Sequence, residues 1–126
     1  MSTAPKRITY HKDAAELELG WADGTTHRLS AEYLRVHSPS AEVRGHGVGQ
    51  EVLQIGKRYV TITGIEPTGR YAIKITFDDG HDSGLFDWTY LRKLGDDQAT
   101  YWQTYLDRLN KAGASREPQF IQAKQL

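Results

Sequence analysis

The amino-acid sequence predicts an α+β fold, mainly antiparallel β-sheet built from two strand-turn-strand-short-helix units, with an amphipathic helix toward the C-terminus. Three observations predict it. Alternating segments flank two Asp-Gly pairs, Asp23-Gly24 and Asp79-Gly80, and Asp-Gly accommodates the positive φ of a tight hairpin turn cheaply. The string Leu17-Glu-Leu-Gly-Trp21-Ala-Asp23-Gly24 recurs at a constant offset as Ile73-Lys-Ile-Thr-Phe77-Asp-Asp79-Gly80, and Tyr33-Leu34-Arg35 recurs as Tyr90-Leu91-Arg92 with one extra residue in between. Finally, Trp102, Tyr105, Leu106 and Leu109 fall on one helical face.

Taken in order, residues 7–10 and 16–21 read as strands, the second alternating Leu17 and Leu19 against Glu16 and Glu18. After the first Asp-Gly turn, residues 26–29 return antiparallel. Ser30 caps a short helix over 31–35 that turns Tyr33 and Leu34 inward, with Glu32 near the end where negative charge is favoured. Pro39 biases Ser38 away from helical geometry. Residues 36–50, with glycines at 45, 47 and 49, lack periodicity and are expected to form the one long loop. Strands resume over 59–65 and 71–77 around a Pro67-Thr68-Gly69 turn, 83–86 return after the second Asp-Gly pair, and 88–94 form a second short helix. Asp96 or Asp97 caps the longest helix, which Gly113 stops. The expected organisation is one domain over 1–113, comprising a module over 5–95 and a helix over 96–113, followed by a flexible tail over 114–126.

Composition excludes several chemistries. The 126 residues contain no cysteine, which removes disulfides, thiolate zinc sites, cluster ligation by the chain itself and thiol catalysis. Sixteen basic residues balance sixteen acidic ones, so broad nucleic-acid or membrane-surface binding is not expected. No apolar run approaches a membrane span of about 18 residues and no signal-peptide core follows the start, so the expected location is cytoplasmic.

Candidate chemistry gathers in two places. His81 and Asp82 follow the second Asp-Gly turn, where a metal ligand or acid–base pair stands against the plainer reading of an exposed turn histidine. Arg35, His37, Ser38, Ser40, Arg44 and His46 make a candidate binding loop, locally basic although Glu42 and Glu51 dilute it. Its glycines do not form a phosphate loop, because Gly49 is followed by Gln50 and Glu51 and no strand precedes Gly45. No Gly-x-Ser-x-Gly elbow supports a serine nucleophile. Trp21, Tyr33, Phe77, Trp88 and Tyr90 read as packing residues.

Trp21-Ala-Asp23-Gly24, Tyr33-Leu34-Arg35, Ser38-Pro39-Ser40, Phe77-Asp-Asp79-Gly80-His81-Asp82-Ser83-Gly84 and Trp88-Thr-Tyr90-Leu91 together resemble the gamma-butyrobetaine hydroxylase-like N-terminal domain family, over roughly residues 5–95. The stretch from Trp102 through Ala112-Gly113 and Arg116-Glu117-Pro118 resembles the extension of its small stand-alone bacterial members. In the hydroxylases this domain precedes an iron and 2-oxoglutarate dioxygenase domain and holds structural zinc through a Cys-x-Cys-x-x-Cys loop plus a histidine. Here the matching positions are Ser38, Ser40, Val43 and His81, so the resemblance implies no tight zinc site, leaving at most a weakly bound iron or zinc ion. Related domains fused to P-loop iron–sulfur cluster carriers imply a protein partner of that kind, or an iron-dependent enzyme. The expected function is a non-enzymatic interaction or accessory module assisting iron or iron–sulfur protein maturation, with the 36–50 loop and the His81 turn as contact surface. Two alternatives are a metal-binding protein using His81 with nearby Asp or His, and an enzyme binding a small anion at the basic Gly-rich loop.

Overall fold

The protein is described by a computed structural model covering residues 3–45 and 51–118. Strands β1 (Arg7–His11), β2 (Glu16–Gly20) and β3 (Thr26–Ser30) form one antiparallel sheet in that order, followed by helices α1 (Ala31–Val36) and α2 (Ala41–Arg44). Strands β4 (Ile62–Thr68), β5 (Ala72–Phe77) and β6 (Leu85–Asp87) form a second antiparallel sheet with the same order, followed by α3 (Trp88–Asp96) and α4 (Gln98–Ala112). The α+β class and the two-unit plan are therefore as the sequence predicts.

The internal repeat extends to hydrogen bonds. Gly24 and Gly80 hold matching φ values of 87° and 89°, which only glycine adopts without strain. Trp21 N–H bonds Thr25 O at 2.8 Å, and Phe77 N–H bonds His81 O at 2.9 Å. Ser30 Oγ caps α1 through Tyr33 N–H, and Asp87 caps α3 through the equivalent Tyr90 N–H. The two tyrosines then cross over: Tyr33 O–H donates to Leu94 O at 2.7 Å, and Tyr90 O–H to His37 O at 2.6 Å. Each short helix is thus tied to the end of the other, in approximate two-fold relation.

One core joins both sheets and both helices. Leu17, Leu19 and Leu29 from the first sheet pack with Ile73, Ile75, Phe77 and Phe86 from the second, and with Leu34 and Leu91 from the Tyr-Leu-Arg segments. A smaller cluster, Val36 with Tyr105 and Leu109, seats the predicted stripe of α4 against the end of α1. No helix among the described residues is long and apolar enough to cross a membrane.

Several expectations are corrected. Residues 41–44 of the expected loop form α2, entered through Ser40 in extended conformation. Strand β4 begins at Ile62 and runs through Pro67, which an edge strand tolerates because one side of its backbone needs no ladder partner. Asp97 occupies the cap position of α4 without a side-chain cap bond. Residues 114–118, assigned to the tail, are docked: Gly56 N–H bonds Ser115 O, Arg58 N–H bonds Arg116 O, and the Arg116 guanidinium grips the buried Glu32 carboxylate at 2.8 and 2.7 Å. Residues 119–126 lie outside the described residues.

Candidate functional site

The Ser38-Pro39-Ser40 turn between α1 and α2 meets the turn after β5. Between them sits His81, which is only 7% exposed and not the exposed turn histidine that the sequence suggested. Its Nε2 lies 2.8 Å from Ser38 Oγ and 3.3 Å from Ser40 Oγ, and its Nδ1 lies 3.2 Å from Glu42 Oε2. Burial lowers the imidazole's pKa and the Arg35 charge adds to this, while Glu42 and Asp79 oppose it. Nδ1 thus faces the Glu42 carboxylate and Nε2 faces the Ser38 hydroxyl.

Asp79 positions this histidine. Its Oδ1 accepts His81 N–H at 3.1 Å, and its Oδ2 accepts Arg35 Nε at 2.9 Å and Lys57 Nζ at 2.6 Å. Burial opposes ionisation of Asp79, but Lys57, the His81 amide and Arg35 outweigh it and hold the carboxyl at about 2. Arg35 also donates to Gln54 Oε1 at 3.0 Å. It is therefore an internal tie and does not belong to the expected binding surface. Asp82, the expected co-ligand of His81, is exposed, and the carboxylate facing the ring belongs to Glu42.

Ser38, His81 and Glu42 reproduce the connectivity of a nucleophile, base and acid. The serine is nevertheless 1% exposed, its Oγ accepts Ser40 N–H at 3.4 Å, and a Cβ added to Gly84 would lie 2.3 Å from that Oγ. The hydroxyl is thus engaged by His81 and the Ser40 amide. The donor set does not fit a structural zinc, since two neutral hydroxyls and a valine replace anionic thiolates. Among the described residues no group of three or more His, Asp and Glu side chains could hold a metal ion. Every buried side-chain polar atom among them has a hydrogen-bond partner, so the site is a completed polar cluster.

The other candidate residues lie beside it. His37 donates Nδ1–H to Tyr33 O at 2.8 Å, and burial, reinforced by Arg108, lowers its pKa. Arg44 lies over the Tyr90 ring, 5.1 Å from its centroid. His37 and Arg44 line one cavity of about 580 Å³, which also takes in Arg108 from α4. His46 lies outside the described residues. Nothing in the sequence assigns Glu42, Arg108 or Arg116 a place here: Glu42 reads only as a charge diluting a basic stretch, and Arg116 only as part of the extension. The Arg35–Asp79 tie was the accessible one, because the repeat aligns Arg35 with Arg92 and Asp79 with Asp23.

The sequence profile described as gamma-butyrobetaine hydroxylase-like, N-terminal, matches residues 8–92. A protein solved in solution by NMR is 47% identical, with a TM-score of 0.82, covering 100% of this chain and 99% of that one. A second NMR structure is 42% identical with a TM-score of 0.80, covering 99% and 93% respectively. A crystal structure from Acidithiobacillus ferrooxidans, of a protein with unknown function in the DUF971 family, is 37% identical with a TM-score of 0.61 over 72% of this chain and 91% of that one. No curated protein matches the chain. With two repeat units of the matching order, and with the Ser38, Ser40 and His81 positions meeting in space where the resemblance placed them, the chain belongs to the gamma-butyrobetaine hydroxylase-like N-terminal domain family.

Proposed function

We propose that the chain works as a non-enzymatic interaction module that docks on an iron–sulfur cluster carrier or an iron-dependent enzyme and assists its maturation. The observation that carries this reading is the stretch over residues 51–59. Val52, Ile55 and Tyr59 are 51%, 40% and 65% exposed there, although the backbone is firmly held: Tyr105 O–H donates to Gln54 O and Gly56 N–H to Ser115 O. Large apolar side chains presented on a fixed, irregular segment suit a protein contact better than a solvated loop does. This reading takes the 51–59 segment as contact surface in place of the 36–50 loop and the His81 turn, whose imidazole is buried.

The test is calorimetric titration of the full chain with a purified P-loop iron–sulfur cluster carrier and with an iron-dependent oxygenase. Saturable binding to one of them, weakened at least about tenfold by Ile55→Lys with Tyr59→Lys, supports the proposal. No binding to either, or binding indifferent to both substitutions, refutes it.

A second reading is favoured by Glu42 beside His81: a carboxylate and an imidazole that offer a weak, exchangeable iron or zinc ion two ligands once the ring leaves Ser38. Elemental analysis and iron(II) or zinc(II) titration of wild type against His81→Ala separate the two readings, since docking requires no metal loss in that variant.

A further inference from the structure

We propose that the cleft between the end of α1, α2 and α4 binds a small organic carboxylate with a short apolar body. Arg44 from α2 and Arg108 from α4 come from segments far apart in sequence and line the same cavity of about 580 Å³, within the roughly 300–1,000 Å³ typical of small-molecule sites. Neither guanidinium is paired with a carboxylate among the described residues. Arg108 donates only to Glu51 O, at a long 3.4 Å, and Arg44 rests on the Tyr90 ring. Two exposed cations at one opening outnumber the single acidic residue that lines it, Glu51, and leave a net positive charge suited to a carboxylate.

The rest of the wall sets the ligand's other end. Val36, Val43 and Val52 supply apolar surface, and the first two are buried. A ligand that is all charge, such as inorganic phosphate, leaves that surface wet, whereas a short alkyl chain covers it. His37 gives its Nδ1–H to Tyr33 O, which leaves Nε2 as an acceptor without a partner among the described residues. Tyr90 is fixed by donating its hydroxyl to His37 O at 2.6 Å, so the ring beneath Arg44 is preorganised rather than assembled by the ligand.

This site adjoins the docking surface, with which it shares Val52, but its test uses Arg44 and Arg108 and leaves Ile55 and Tyr59 untouched. The experiment is calorimetric titration of the full chain with hexanoate, with hexanol, hexylammonium and inorganic phosphate as comparison probes. Expected is saturable hexanoate binding, weakened at least about tenfold in Arg44→Met and in Arg108→Met, with hexanol and hexylammonium inert and phosphate weaker. Both arginines are exposed, so an unchanged melting temperature separates ligand loss from unfolding, and Arg108→Glu serves as a second variant expected to abolish binding. No saturation by about 10 mM hexanoate, equal binding of hexanol, phosphate binding as tight as hexanoate, or hexanoate binding indifferent to both arginines overturns the proposal.

Discussion

Arg35 Nε donates to Asp79 Oδ2 at 2.9 Å and so ties the helix of the first repeat to the Asp-Gly turn of the second. The equivalent arginine of the second repeat, Arg92, reaches back to the first turn through Asp23 Oδ2 at 3.0 Å. Each Tyr-Leu-Arg segment thus spends its tyrosine on the end of the other helix, its leucine on the shared core and its arginine on the other turn. The two ties differ in environment. The Arg35 guanidinium is buried beside His81, whereas the Arg92 pair is partly exposed.

That difference predicts unequal costs for equivalent substitutions. Arg35→Met leaves Asp79 with Lys57 as its one side-chain partner and removes a buried tie, so a loss of about 3 kcal/mol is expected. Arg92→Met breaks a screened surface pair and should cost clearly less. Urea denaturation of both variants checks the order, and equal losses would contradict the account.

The Asp79 carboxyl, held at about 2 against an ordinary 3.8, gives an acid dependence of definite sign. A depressed carboxylate stabilises the fold above its unfolded pKa, and that contribution disappears as pH falls through the folded value. Wild type should therefore lose stability between about pH 4 and 2 more steeply than Asp79→Asn. The gap between them, on the order of 1 kcal/mol at neutral pH after allowance for solvent screening, should close at the acid end. Denaturation midpoints across that range measure it.

Gly84 and Ser38 are coupled by space. A methyl group at Gly84 meets Ser38 Oγ at 2.3 Å, and Pro39 Cδ at 3.2 Å. Gly84→Ala should therefore be destabilising by about 1–3 kcal/mol, and appreciably less so in a Ser38→Ala background, where the nearest atom is gone. A double-mutant cycle by chemical denaturation reads this coupling. Additive costs would mean that Pro39 rather than the hydroxyl sets the limit.

Arg116 closes over a buried acid. Glu32 is 5% exposed and accepts both guanidinium nitrogens, so Arg116→Ala leaves a carboxylate buried without its partner. A loss of about 2–3 kcal/mol is expected, and truncation after Gly113 should cost at least as much because the Ser115 and Arg116 carbonyls also leave Gly56 and Arg58. Thermal unfolding of both forms decides. A truncated chain as stable as the full one would show that these contacts contribute nothing.

The strands and turns were legible because each has a local signature: alternation, Asp-Gly with its positive φ, and a Ser or Asp cap. Even the two-fold plan could be read, since Leu17 aligns with Ile73 and Tyr33 with Tyr90. Contacts between distant segments carry no such signature. Arg116 looks like an ordinary tail residue until Glu32, buried early in α1, is seen to need it. Likewise Glu42 appears in sequence as one charge diluting a basic stretch, and only the four-residue helix α2 turns it onto His81. The sequence marked Ser38, Ser40 and His81 through resemblance, but that their hydroxyls and imidazole satisfy one another is a fact of tertiary packing.

That packing predicts what restoring the family's ligands would do. Ser38 and Ser40 already place their side chains against His81 Nε2, and Val43 is buried on the adjoining α2. Replacing the three with cysteine supplies three anionic donors beside one imidazole, the composition of a closed structural zinc site. The Ser38→Cys, Ser40→Cys, Val43→Cys variant should bind one zinc per chain and melt at a higher temperature when loaded, because binding to the folded state alone shifts the folding equilibrium. Adding His81→Ala should remove that gain while leaving the metal-free melting temperature near that of the triple variant. If the triple variant takes up zinc without any dependence on His81, the serines and the histidine do not mark the positions of a metal centre, and their meeting here is a packing arrangement alone.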